Sequence, residues 1–217
     1  MIKKKQPVMI KPRRGVCLVI SAPSGAGKST IAQALHQSES HIQHSISVTT
    51  RPPRPGEKEG VHYYFRTAEQ FQAMVKEGAL LEWATVFKES YGTPRAPVEA
   101  ALQAGYDMIF DIDWQGHRQI RQALPADVVS VFVLPPSLKE LERRLHGRGA
   151  DRHEDIAHRM AVAHDEISHW EEFDHVIVNA DLEHAIAEIR AILHAARLTT
   201  IRQISGLRQF VTSLGAT

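Results

Sequence analysis

The stretch Gly15-Val16-Cys17-Leu18-Val19-Ile20-Ser21-Ala22-Pro23-Ser24-Gly25-Ala26-Gly27-Lys28-Ser29-Thr30 constrains the fold of this chain more than any other. An apolar β-type run, residues 16–20, feeds a loop of small residues. The loop ends in Gly27-Lys28-Ser29-Thr30 and passes into a helical pattern through Ile31, Ala32, Ala34 and Leu35. Strand, small-residue loop, Gly-Lys-Ser and helix is the order in which a phosphate-binding loop is built. Its backbone N–H groups turn inward around phosphate oxygens, the lysine reaches the β/γ-phosphates, and the serine hydroxyl can hold Mg2+. The pattern G-x-x-x-x-G-K-[ST] asks for glycine at position 22, where this chain has Ala22. The competing reading is an ordinary glycine-rich turn; the flanking strand and helix favour the phosphate loop.

A chain of 217 residues, 43% hydrophobic and 24% charged, is expected to form one globular domain, or one core with inserted subdomains. No apolar run approaches the roughly 18–20 residues needed to span a bilayer, so no membrane partner is expected. Residues 1–14 carry Lys3, Lys4, Lys5, Lys11, Arg13 and Arg14 with no acidic residue. No apolar segment with a small-residue cleavage site follows, so the segment reads as a basic disordered tail rather than a secretory signal. Taking those six charges from the formal net of +1 leaves about −5 for the remainder, which argues against a nucleic-acid partner. The single cysteine, Cys17, lies inside the first apolar run and reads as a small buried hydrophobe, as suits a reducing, cytoplasmic compartment. The 13 histidines lack partners at zinc-site spacing and are expected at the surface. Self-association is compatible with everything the sequence contains.

Periodicity predicts strands over residues 16–20, 61–65, 80–86, 107–112, 128–134 and 176–178, with a short β-like run at 44–50. Helices are expected over 28–37, 67–77, 97–104, 138–145, 151–172 and 181–198, and a turn at Tyr91-Gly92-Thr93-Pro94. Apolar strands separated by helices imply a parallel sheet covered on both faces, with ligands beyond the carboxyl ends of the strands.

Four further segments carry chemistry. In Ser47-Val48-Thr49-Thr50-Arg51-Pro52-Pro53-Arg54-Pro55-Gly56-Glu57, two arginines three apart are stiffened by prolines. Such a pair gives forked hydrogen bonds to a second phosphate, with Tyr63 and Tyr91 as added donors; the alternative is a solvated basic turn. Glu82 lies inside an apolar run, Leu81-Glu82-Trp83, where an unpaired carboxylate is costly. Guanine offers its N1–H and 2-amino donors side by side to such a group and adenine does not, a mismatch that supports discrimination of roughly 10⁴–10⁵. A solvent-facing place on an edge strand is the alternative. Asp111 and Asp113 are expected on one strand face, holding Mg2+ through water or orienting Arg or Ser side chains. Arg143, Arg144 and Arg148, flanked by Gly147 and Gly149 and followed by Arg159, read as a mobile lid, or as a solvated face paired with Glu140, Glu142, Glu154 and Asp155.

In their order along about residues 15–196, the segments SAPSGAGKST, SVTTRPPRPGE, the Tyr63 strand, LEW, YGTP, DIDWQG, LPPS, RLHGRG and VIVN closely resemble the guanylate kinase family. The resemblance implies an α/β fold: a three-layer P-loop kinase core with a parallel sheet, an inserted mixed α/β GMP-binding subdomain and a helical lid. It divides the chain into the tail at 1–14, core at 15–45, 96–137 and 169–217, GMP subdomain at 46–95 and lid at 138–168. It implies Mg2+-dependent, reversible transfer of the ATP γ-phosphoryl group to GMP, with ATP and GMP as partners. Ala22, Pro23, Ser24, Gly25, Ala26, Gly27, Lys28, Ser29 and Thr30 would hold the ATP phosphates, with Ser29 near Mg2+ among waters and Asn179 by the adenine. Arg51, Arg54, Tyr63 and Tyr91 would grip the GMP phosphate, and Ser47, Glu82 and Thr93 would read guanine, with Asp111 and Asp113 lining the same cleft. Lys28, Arg51, Arg144, Arg148 and Arg159 would act on the transferring group. The rivals are a P-loop kinase for a ribose bisphosphate and a non-catalytic phosphopeptide-binding module of the same fold.

Overall fold

The computed structural model of the chain describes residues 13–86, 88–146 and 153–215. In chain order its elements are β1 (Cys17–Ser21), α1 (Lys28–Ser38), β2 (Ile42–His44), β3 (Val48–Thr49), β4 (Tyr64–Phe65), α2 (Ala68–Lys76), β5 (Leu80–Val86), β6 (Glu89–Pro94), α3 (Arg95–Gln103), β7 (Asp107–Asp111), α4 (Trp114–Ala123), β8 (Val128–Leu134), α5 (Leu138–His146), α6 (His153–Ser168), β9 (His175–Val178), α7 (Leu182–Arg197) and α8 (Thr200–Ser213).

The apolar runs assemble as expected into a five-stranded sheet in the order β2-β7-β1-β8-β9, every neighbouring pair parallel. Alternation along β1 sends its side chains to both faces. Leu18 and Ile20 join Ile31 and Leu35 of α1 and Ile189 and Leu193 of α7. Cys17 and Val19 join Val98 and Leu102 of α3 and Ile120 of α4. These are the three layers of an α/β core, and β1 lies at its centre with Cys17 to Ile20 fully buried.

A second sheet, β4-β3-β6-β5, is mixed: β3 pairs parallel with β4 and antiparallel with β6, and β6 pairs antiparallel with β5. Its small core is Val48, Phe71 and Leu80. Helix α2 starts on a reciprocal cap between Thr67 and Gln70, as the Thr67 start signal anticipates. Helices α5 and α6 form a pair held by Leu141, Leu145 and Ala163.

Several expectations are corrected. The 44–50 run is two strands in two different sheets, since β2 joins β7 while β3 joins β6. The 61–65 strand shrinks to Tyr64–Phe65, because Gly60 at φ 70° turns the chain and leaves Val61 exposed. Residues 91–94 are not a turn but the end of β6, where Gly92 permits close pairing: a Cβ there would lie 2.9 Å from the Glu82 carbonyl oxygen. Strand β7 ends at Asp111, so Asp113 does not share its face; Asp113 instead caps α4, a helix with no counterpart in the sequence-based assignment.

The basic tail is corrected at its inner end. Arg13 pairs with the fully buried Asp107 at 2.7 Å, and Arg14 pairs with Asp127 at 2.6 Å and Glu99 at 3.1 Å. Residues 1–12 lie outside the described part. Beyond residue 198, where no element was anticipated, α8 buries Arg202, which donates to the carbonyls of Gly15 (2.7 Å) and Asp127 (2.8 Å). His117 also departs from the surface reading: it is buried against Phe173, ring centroids 4.1 Å apart.

Candidate functional site

The loop after β1 reverses into α1 through Gly25 at φ 93° and Gly27 at φ 103°, left-handed backbone that glycine adopts without strain. Gly27 is the N-cap of α1 and no side chain caps the helix, so its first N–H groups are free to face an anion. Ala22 is buried in the core cluster, and its methyl fits where the motif asks for glycine. Asn179, which follows β9, donates from Nδ2 to the Ala26 carbonyl at 2.8 Å and braces the loop from two strands away in the sheet.

Lys28 and Ser29 converge on one carboxylate. Lys28 Nζ lies 3.0 Å from Asp111 Oδ1 and donates to the Ile112 carbonyl at 3.2 Å, while Ser29 Oγ donates to Asp111 Oδ2 at 2.7 Å. A hydroxyl and a carboxylate side by side at a helix N-terminus are hard oxygen donors of the kind Mg2+ takes together with phosphate oxygens and waters. Among the described residues no group of three or more His, Cys, Asp or Glu is arranged to hold a metal by itself.

One residue that sequence reasoning passed over borders this loop, and one that it named pairs as the solvated-face reading anticipates. Glu166 of α6 accepts from the Ser24 N–H at 3.2 Å, and burial pushes its carboxyl above the ordinary range against the pull of that N–H and of Lys28. Glu140 of α5 is held down to about 2 by Arg143 and then Arg144. Glu166 reads in sequence as a member of a solvated helix face, so nothing marked it out, whereas the Glu140 pairing with Arg143 and Arg144 is the one expected. Arg144 donates from Nε to Glu140 at 2.9 Å and from Nη2 to the Asn179 carbonyl at 3.2 Å. Arg143, Arg144, Gly25, Gly27, Thr30, Asn179 and Leu182 line a cleft of about 380 Å³. Arg159 lies half-buried on α6, and Arg148 lies outside the described residues.

The second sheet gathers the other predicted residues. Register Thr49↔Tyr91 places the Arg51 segment beside Tyr91, and β4 brings Tyr63 to the same place. The Arg51 guanidinium is clamped by Glu57 at 2.8 and 3.0 Å and by the Pro52 carbonyl at 2.8 Å, and it lies 5.4 Å from the Tyr63 ring centre. Tyr63 and Tyr91 meet edge-to-face at 6.2 Å. Arg54 is exposed on the same loop; its backbone N–H binds Glu57 at 2.7 Å, and this carboxylate is held low by Arg51 first and then by that N–H.

Glu82 is buried, not solvent-facing. Thr93 Oγ1 donates to its Oε1 at 2.6 Å, and Oε2 lies over Gly116. Burial raises its carboxyl above the ordinary range; Thr93 opposes that shift and the like charge of Asp113 adds to it. Asp113 accepts from the Gly116 N–H at 2.8 Å. The two aspartates are thus separated: Asp111 serves Lys28 and Ser29, while Asp113 lies by Glu82. Ser47 precedes β3, and its carbonyl accepts from Tyr64 N at 2.9 Å.

The family model described as guanylate kinase matches residues 14–196. The guanylate kinase of Gluconobacter oxydans (strain 621H) is 69% identical over 192 residues, 88% of this chain and 92% of that protein. The guanylate kinase of Granulibacter bethesdensis (strain ATCC BAA-1260 / CGDNIH1) is 58% identical over 210 residues, 97% of this chain and 98% of that protein. A crystal structure of guanylate kinase from Anaplasma phagocytophilum matches the fold with a TM-score of 0.73 at 39% identity, covering 96% of this chain and 99% of that one.

Proposed function

The chain belongs to the guanylate kinase family, and from that premise we propose how its residues divide the work of phosphoryl transfer. The reaction is reversible transfer of the γ-phosphoryl group of ATP to GMP, giving ADP and GDP. Loop residues 22–30 cradle the donor phosphates, with Lys28 at the β/γ-phosphates and Asn179 on the adenine side. The Arg51–Tyr63–Tyr91 cluster, with Arg54, grips the GMP phosphate. Glu57 holds the Arg51 fork in place and leaves further N–H groups for phosphate oxygens, so little side-chain freedom is lost on binding.

Glu82 receives the guanine N1–H and 2-amino donors on the lone pairs that Thr93 leaves, and Ser47 and Asp113 flank that edge. No protein nucleophile is needed. An oxygen of the GMP phosphate attacks the γ-phosphorus in line, the β–γ bridging oxygen leaves on ADP, and Lys28 with Arg51, Arg144, Arg148 and Arg159 stabilises the spreading charge. Ser29 and Asp111 would hold Mg2+, which would offset the negative charge of the donor phosphates. Lys28 and Ser29 are already turned toward that carboxylate.

Residues 46–95 form the acceptor subdomain, 138–168 the lid and 15–45, 96–137 and 169–217 the core. Lid closure excludes water and suppresses hydrolysis of ATP. The buried Cys17, whose thiol burial pushes up and out of the reactive range, suits a cytoplasmic setting. The observation that supports the reading is that one small sheet carries both the buried Glu82–Thr93 pair and, beside Tyr91, a clamped arginine and a second tyrosine, polar groups suited to a base edge and to a phosphate. A coupled assay of ADP formation with GMP, AMP, UMP and a ribose bisphosphate tests it. GMP alone should turn over efficiently; turnover with the ribose bisphosphate and none with GMP would refute the assignment.

A further inference from the structure

We propose that Gln119 is a positioning residue for guanine recognition, holding Glu82 in place through the backbone of the residue that follows it. Strand β5 is the outer strand of the second sheet, so its far edge has no strand partner among the described residues. At Trp83 that edge is satisfied by a side chain of α4, a helix of the core. The Trp83 N–H donates to Gln119 Oε1 at 3.0 Å, and Gln119 Nε2 donates to the Trp83 carbonyl at 3.0 Å. One primary amide thus supplies the donor and the acceptor that a neighbouring strand would. The pair also fixes which way the amide points, because either flip sets donor on donor and acceptor on acceptor.

The surroundings make this a placement device. Trp83 has a largely exposed side chain (41%), so packing of its indole does not fix the strand there. The preceding residue but one, Leu81, is buried in the core cluster with Leu102 and Ile120. The register of β5 against β6 shifts between Leu80 and Glu82, an irregularity of the kind that re-aims a side chain. Glu82 is therefore held between an apolar anchor on one side and the Gln119 clamp on the other. One turn earlier on α4, Gly116 lies against the carboxylate: a Cβ at 116 would sit in ordinary van der Waals contact, 3.5 Å from Glu82 Oε2. The same helix is tied to the core by fully buried Ile120. Through Gly116 and Gln119, three apart and so on one helix face, the core sets the position of a carboxylate that belongs to the other sheet.

This inference rests on Glu82 reading guanine, and its test separates the two. Gln119→Met keeps the length and apolar stem of the side chain and removes both hydrogen bonds. Two neutral hydrogen bonds near solvent correspond to roughly a tenfold rise in KM for GMP. KM for ATP should stay within about twofold and kcat within about threefold, a split that general destabilisation would not produce. Gln119→Glu adds a protonation test: the ionised carboxylate opposes the Trp83 carbonyl, whereas the neutral acid restores a donor and an acceptor. Its KM penalty relative to the parent enzyme at equal pH should shrink as pH falls. Glu82 and Asp113, which lie near this part of α4, are present in the parent enzyme as well, so comparison at equal pH cancels their titration. Glu82→Gln is run in parallel. A raised GMP KM in Glu82→Gln with an unchanged one in Gln119→Met overturns the positioning role and leaves Glu82 as the reader. An unchanged GMP KM in Glu82→Gln overturns both. A proportional rise for GMP and ATP in Gln119→Met also overturns the proposal.

Discussion

Alanine at position 27 tests whether the glycine-rich loop after β1 and the segment after β9 act as one braced unit. Gly27 sits at φ 103° and ψ 8°, a conformation that costs a non-glycine residue about 1–3 kcal/mol. An added Cβ would lie 2.4 Å from Asn179 Nδ2. That amide is buried and donates to the Ala26 carbonyl at 2.8 Å, so it has to move and its bond has to break. Leaving the carbonyl unsatisfied costs about 1–3 kcal/mol. Gly27→Ala should therefore cost about 2–6 kcal/mol in all. Asn179→Ala should cost only the hydrogen-bond share, about 1–3 kcal/mol. In the double variant the bond is lost once rather than twice, so the combined cost should fall short of the sum by about 1–3 kcal/mol. Urea unfolding of the four proteins, read by linear extrapolation, measures this directly. Single costs that add to within about 0.5 kcal/mol would refute the brace.

Three other perturbations have definite outcomes. Removing residues 1–12 should leave turnover and Tm nearly unchanged, whereas removing 1–14 strips Arg13 and Arg14 from buried Asp107 and Asp127; Arg197 and Arg202 still face those carboxylates, so the loss should be about 1.5–3 kcal/mol, and equal melting curves for the two truncations would contradict the ion pairs. His117 is buried with neither ring nitrogen partnered among the described residues, and burial pushes it down to about 4. The unfolded chain binds that proton first, so stability should fall as pH drops from about 6.5 towards 4, by up to about 3 kcal/mol. His117→Phe should flatten the curve in that window, and an unaltered slope in denaturant titrations would exclude His117 as its source. For Glu82 the raised carboxyl has the opposite sign. The folded state takes up the proton more readily, so its charge costs stability above the ordinary glutamate range and that cost disappears as pH falls. KM for GMP should rise as pH falls, beginning above the ordinary glutamate range, because the neutral acid no longer offers two acceptors. A flat KM profile down to pH 4.5, taken with calorimetric binding of GMP, would remove Glu82 from the base site.

Much of the fold follows from local pattern. Residues 80–86 and 128–134 were predicted as strands over the spans they occupy, because β-branched and apolar runs bounded by glycine or proline carry their own signal. Helix α4 was missed for an equally local reason: Trp114-Gln115-Gly116-His117-Arg118-Gln119 contains a glycine and few apolar residues, so its periodicity is weak. Short β3 and β4 of two residues each are held by sheet neighbours rather than by propensity, which is why 44–50 and 61–65 gave the wrong bounds. The sequence-predicted site residues were recognisable by type and spacing. Their grouping was not: that Asp111 serves the loop while Asp113 lies with Glu82 depends on where β7 stops, a one-residue matter set by packing.

The chain's linear order was enough to mark a glycine-rich loop of phosphate-binding pattern, a parallel core sheet and a proline-stiffened segment with two arginines. Each is written in residues adjacent along the backbone, where sterics, period and glycine conformations act locally. Tertiary structure decided everything that depends on a partner distant in sequence. Asn179 reaches across 153 residues to brace the loop, Arg13 and Arg14 are drawn from an apparent tail onto buried carboxylates, and Glu166 comes from α6 to the Ser24 N–H. Burial and pairing are properties of such long-range neighbours. The same charged residue reads as solvated or as structural until the fold supplies the group it meets.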